Sequence, residues 1–174
     1  MDIAQLNSLS YEDFVDVLGN VVERCPLVAA AVWSGRPFAS VSELEGRIHQ
    51  FLDSLPESGK DGVLRCHPDL AGRELRSGTL TAESQAEQRQ AGMAALAADE
   101  LSRLARLNAQ YKRRFGFPFV VCARLHDAAA VMRLLAARLG AERAAERERA
   151  LGEVKRICGL RLRAVVLPES GDEP

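Results

Sequence analysis

Phe119-Val120-Val121-Cys122-Ala123 is the one run in this chain that reads as extended backbone. It is built from β-branched and aromatic side chains, and Pro118 in front of it steers Phe117 away from the helical region. One extended run has no partner to ladder with, so it cannot make a sheet. Everything around it reads as helix or as punctuation between helices. The expected fold is therefore all-α: one compact domain over 1–174 of roughly seven to nine helices, with no substantial sheet and a short frayed acidic tail from about 168.

Working outward, Ala98 opens a helix that carries Leu101, Leu104, Leu107 and Tyr111, and Gly116 is placed to end it. Thr81 is positioned as the N-cap of a helix bearing Ser84, Glu87 and Gln88, with a break near Gly92. Ser40 and Glu43 form a capping box ahead of Val41, Leu44, Ile48, Phe51, Leu52 and Leu55, a stripe that faces a core. Ser10-Tyr11-Glu12-Asp13 starts a helix carrying Phe14, Val17, Leu18 and Val21, expected to run close to Arg24. Pro26 suits a first helical position; Leu27 to Trp33 is apolar on all sides, and Gly35-Arg36-Pro37 breaks it. Pro56 to Gly62 is polar and rich in turn formers, which predicts an exposed loop leading to His67. After the extended run, Asp127 caps a helix to Leu139 stopped by Gly140, and a last helix runs from about Ala141 to Val165.

Composition narrows the function. A net charge of −1, with Lys and Arg spread along the chain, gives no broad basic face for phosphate backbones, so nucleic acid is not an expected partner. No run approaches the roughly 18 apolar residues of a membrane span, so no membrane partner is expected either. Cys25, Cys66, Cys122 and Cys158 lie far apart without a C-x-x-C pair and read as reduced thiols of an intracellular protein. Cys66 and His67 are adjacent and no second cluster has ligand spacing, so no metal site is expected.

Among residues able to do chemistry, His67 stands first, because imidazole exchanges a proton near neutral pH and Pro68 stiffens its backbone. The plainer alternative is a histidine that caps a helix or fills a polar gap; His49 and His126 fit such structural or solvated roles. Ser84, Glu87 and Gln88 stand at i, i+3 and i+4 and share one helix face near its N-terminus. A hydroxyl, a carboxylate and an amide there can grip a small polar heterocycle, and the carboxylate can orient an imidazole; a solvated helix start has the same spacing. Gly116-Phe117-Pro118-Phe119 can wall a ligand from water or simply pack a turn. Arg161 can face inward to an anion or snorkel to solvent.

Cys25-Pro26-Leu27, Arg36-Pro37-Phe38, His67-Pro68-Asp69-Leu70-Ala71-Gly72, Ser84-x-x-Glu87-Gln88-x-x-x-Gly92, Leu107-Asn108-x-x-Tyr111-x-x-Arg114-Phe115-Gly116-Phe117-Pro118-Phe119-Val120 and Arg161-Leu162 occur in that order. Together they closely resemble the 2-oxo-4-hydroxy-4-carboxy-5-ureidoimidazoline (OHCU) decarboxylases of urate degradation, over nearly the whole chain. The resemblance implies an all-helical lyase without cofactor, usually a homodimer, that converts OHCU to (S)-allantoin and carbon dioxide. It implies His67 as catalytic acid/base with Glu87 beside it. It implies substrate contacts from Pro68, Ser84, Gln88, the backbone of Phe119, Val120, Val121, Cys122 and Ala123, and Arg161. Animal members of the family commonly end in a peroxisomal tripeptide. This chain ends in Asp172-Glu173-Pro174 without an S-K-L signal, which leaves peroxisome and cytoplasm both open. A non-catalytic helical module that binds a small molecule or partner, and a hydrolase of a cyclic ureide, are the rival readings.

Overall fold

A computed structural model describes residues 1–167, and the expected tail from about 168 lies outside them. Among the described residues ten α-helices form: α1 (Ile3–Asn7), α2 (Tyr11–Leu18), α3 (Pro26–Val32), α4 (Val41–Ser54), α5 (Glu57–Arg65), α6 (Arg73–Ser77), α7 (Ala82–Gln90), α8 (Ala98–Phe115), α9 (Ala128–Arg138) and α10 (Arg143–Val165). Short 3-10 turns follow α3, α7 and the segment before α9, and there is no strand among the described residues. The all-α expectation is met.

The helix starts follow the side chains that the spacing singled out. Ser10, Ser40, Thr81 and Asp127 each accept a hydrogen bond from the backbone N–H three residues on, satisfying a donor that the first turn leaves without an intrahelical acceptor. Pro26 occupies the first turn of α3. Gly116, at φ +79°, closes α8 in the left-handed conformation that a side chain would resist.

Two expectations need correction, and two short helices had no counterpart in the sequence reading. Pro56 to Gly62 is not an exposed loop: Lys60 N–H bonds to the Pro56 carbonyl (3.0 Å), and α5 begins directly after the proline. Two glycines hid this helix, because propensity counts against them, whereas burial of Asp61, Val63 and Leu64 outweighs propensity. The helix from Ser10 ends at Leu18 rather than near Arg24. There Asn20 Oδ1 takes the Arg24 N–H (2.8 Å), and Arg24 itself sits at φ +48°. The short helices α1 and α6 carry too few residues to show a period. Asp2 and Gln5 nonetheless build a reciprocal capping box on α1.

The described chain forms two compact units, one of residues 1–60 with the chain from 155 on, the other of residues 61–154. In the first, α3 packs against both α2 and α4. Its core includes Leu6, Phe14, Leu18, Val28, Leu44, Ile48 and Leu52, and the Phe14 ring meets Trp33 edge-on. In the second, α8 packs against α9 and presents Leu104, Asn108, Tyr111 and Phe115 on its buried face. Tyr111 touches the rings of Phe115, Phe117 and Phe119 at centroid distances of 4.6, 6.0 and 5.3 Å. The Phe119 to Ala123 segment is thus drawn inside by its aromatic start, without a ladder.

Candidate active site

Of the candidate residues of the second unit, His67 and Pro68 lie in the non-helical link between α5 and α6, and Gln88 bonds to that link. His67 stands just past the end of α5, its N–H bonded to the Leu64 carbonyl (3.1 Å), and its side chain is buried. Pro68 follows, half-buried, and Gly72 caps α6. Between them Ala71 adopts φ +50°, a conformation that costs a residue with a Cβ about 1 kcal/mol or more.

Side chains from α7 and α8 hold this link. Gln88 Oε1 accepts the Ala71 N–H at 2.8 Å, and Gln88 Nε2 donates to the Asp69 carbonyl at 3.3 Å. Asn108 Nδ2 donates to the Leu70 carbonyl at 3.1 Å, and Lys112 Nζ pairs with the Asp69 carboxylate at 2.8 Å. Gln88, read from the sequence as a substrate contact, therefore also fastens the link that carries His67.

On α7, Ser84 and Gln88 are buried and Glu87 is half-buried, so the i, i+3, i+4 face points at least partly inward. α7 packs against the turn Ala123–Leu125, which brings it to the end of the Phe119 to Ala123 segment. Burial pushes the Cys122 thiol above its ordinary value, and the carboxylates of Glu153 and Glu87 push it further.

All five residues from Phe119 to Ala123 are buried. Two of the backbone groups read as ligand contacts have protein partners: Val120 O accepts from Arg138 Nη1 (2.9 Å), and Cys122 N–H donates to Glu153 Oε2 (3.4 Å). Arg138 is a buried cation. Its Nε bonds to Glu146 (2.7 Å), Tyr111 donates its hydroxyl proton to the same carboxylate, and the guanidinium lies 4.5 Å from the Phe119 ring centre. Burial and then the bond to Glu146 raise the Tyr111 pKa, so its phenol keeps its proton.

An open cavity of about 280 Å³ borders His67. Its wall includes Gly116, Phe117 and Pro118, the aromatic turn singled out in the sequence, and its rim carries Arg65, Lys112 and Asp69. Two cations against one carboxylate favour a small anion. Arg65 is steadied by a bond from Nε to the Gly116 carbonyl (2.9 Å).

Arg161 belongs to the other unit. There it is buried, and Nη1 donates to Glu23 Oε2 (2.8 Å) and the Asn20 carbonyl (2.9 Å). No group of three or more His, Cys, Asp or Glu able to hold a metal occurs among the described residues. The four cysteines form no disulfide. His49 lies 3.7 Å from Glu45 on the same helix and His126 is half-buried after a 3-10 turn.

Sequence reading assigned no role to Asn108, Lys112, Arg138 or Glu146. For Asn108 a signal existed, since it is the one polar position on a stripe formed with Leu104, Tyr111 and Phe115. Glu146 lies in a run of alternating charge and Arg138 in the largely apolar run from Ala128 to Leu139, and nothing in either pattern says which charge turns inward.

The OHCU decarboxylase family model matches residues 7–163. A 2-oxo-4-hydroxy-4-carboxy-5-ureidoimidazoline decarboxylase from Amia calva is 60% identical over 95% of each chain, and one from Xenopus laevis is 55% identical over 97% of each. Among solved structures, an (S)-allantoin synthase superposes with a TM-score of 0.76 at 22% identity, over 95% of this chain and 54% of that one. An OHCU decarboxylase solved in the presence of (S)-allantoin gives 0.66 at 23% identity, over 80% and 89%. At such identities the two structures speak for the helical fold, and the sequence matches speak for kinship. With a family model spanning most of the chain and relatives above half identity along nearly their full length, the chain belongs to the OHCU decarboxylase family.

Proposed function

We propose that this protein is a lyase that decarboxylates OHCU to (S)-allantoin and carbon dioxide in urate breakdown, with His67 as the proton-transfer group. The observation that carries the site reading is the fastening of the His67 link onto α7 through the two bonds of Gln88.

In the reaction the bond from the ring carbon to the carboxylate breaks and carbon dioxide leaves. The electron pair passes into a neighbouring C=N or C=O. That flow requires the breaking bond to stand across the ring's π system, so a pocket that fixes the ring's orientation lowers the barrier. Ser84, Gln88 and backbone groups of Phe119 to Ala123 hold the ureide oxygens and nitrogens, and Pro68 lines the ring. Glu87 keeps His67 in one tautomer. His67 then delivers one proton to one face, a step of the kind that contributes about 10²–10⁴-fold and also decides the handedness of the product.

In achiral water the two faces of the electron-rich intermediate are equivalent, so the uncatalysed reaction gives a racemate. Carbon dioxide release from freshly generated OHCU tests the proposal: the protein accelerates it over buffer, and release at the buffer rate contradicts the reading. The kinship of the relatives runs against a non-catalytic binding module. A cyclic-ureide hydrolase would release no carbon dioxide, so the same assay separates it. The reading extends to a homodimer without cofactor acting in the peroxisome or the cytoplasm, on the support of the family resemblance; sedimentation equilibrium measures the first of these.

A further inference from the structure

The fastening of the His67 link has a second half that the reaction described above does not use. Gln88 holds Ala71 and Asp69 from α7; Asn108 holds the intervening Leu70 carbonyl from α8. Three successive backbone positions, two to four residues beyond His67, are thus gripped by side-chain amides from two helices. Ala71 at φ +50° would relax if left alone, so the grip selects the conformation of the link. Asn108 is buried at 7% exposure on an otherwise apolar stripe, where an amide is unfavourable unless it is bonded. The Lys112 pair with Asp69 is different in kind: its side chains are 46% and 37% exposed, and such pairs hold little.

We propose that Asn108 is a positioning residue of this enzyme, which acts with Gln88 through the 69–71 backbone to hold the His67 imidazole at the angle needed for proton delivery to one face. The proposal rests on His67 being the proton-transfer group.

Asn108→Leu removes the donor at similar volume, and Leu104→Ala, one turn earlier on the same stripe and 1% exposed, is the control for a purely structural loss. With OHCU as substrate, kcat in Asn108→Leu falls about 10–100-fold while KM stays within about 3-fold, the pattern of lost alignment rather than lost binding. The enantiomeric excess of the allantoin falls with it. Leu104→Ala lowers the melting temperature but keeps kcat and optical purity near those of the unaltered enzyme. A folded Asn108→Leu with unaltered kcat and product purity overturns the proposal, as does a Leu104→Ala variant that loses purity equally.

Should Asn108→Leu not fold, hydrogen exchange on the unaltered protein decides. The Ala71 backbone amide and the Asn108 side-chain amide exchange far more slowly than solvent-exposed amides if the grip holds, and at exposed rates if it does not. An unaltered protein without activity on OHCU would contradict the function instead, so the two failures are distinct.

Discussion

At the scale of single residues, the tasks proposed for His67 and Glu87 are separable. His67→Asn keeps the backbone bond to Leu64 and the helix ends, so circular dichroism stays unchanged, while OHCU turnover falls by about 100-fold or more. Glu87→Gln keeps shape and hydrogen-bonding capacity but removes the charge proposed to orient the imidazole, so most activity is expected to be lost; full turnover in that variant removes the carboxylate from the mechanism. Cys158 gives a prediction about stability. Burial, and then Glu45, push its thiol up to about 12, so the folded state resists ionisation that the unfolded chain undergoes near pH 9. That contribution is fully present below the unfolded value and is lost as the pH rises through the folded one. The melting temperature therefore declines between pH 9 and 12, and Cys158→Ala makes the decline shallower. The helical spacing of Ser84, Glu87 and Gln88 was legible from the sequence, whereas the roles proposed for them and for His67 come from the family resemblance. What Asn108 grips was not legible, because its partner is a carbonyl 38 positions away that no local pattern encodes.

At the scale of elements, capping residues were readable and tertiary override was not. Ser10, Ser40, Thr81 and Asp127 act within three residues of themselves, so sequence alone locates their helices. α5 is helical for a distant reason: Asp61 on its buried face receives Arg147 of α10 at 2.7 and 3.3 Å, a contact spanning 86 positions. The Phe119 to Ala123 segment depends in the same way on Arg138, which ties Val120 O to Glu146. Removing one member of a buried ion pair leaves the other charge uncompensated, so Arg138→Met should cost about 3–5 kcal/mol in denaturant unfolding. Arg138→Met combined with Glu146→Gln should cost less than the sum of the two single changes, because the stranded charge is gone. Additive losses would show that the two side chains do not act as a pair.

At the scale of the whole molecule, the absence of a second extended run was enough to expect an all-helical chain, and among the described residues no strand forms. Division into two compact units left no mark in the sequence, since it is carried by contacts and not by a linker or a change in composition. The thiols report on folding as a whole. Cys122 and Cys158 are buried, one in each unit, and should react with an alkylating reagent only on unfolding, whereas half-buried Cys66 should react in the native protein. Early modification of either buried thiol, followed by mass spectrometry, would contradict the packing described. The central claim is that His67 delivers a proton to one face of the substrate. The most direct measurement is the optical activity of the allantoin formed from fresh OHCU by the unaltered protein and by His67→Asn side by side. Rapid appearance of the (S) product is expected with the unaltered protein and slow formation of racemate with the variant; an (S) product formed equally fast by both would contradict the role of His67.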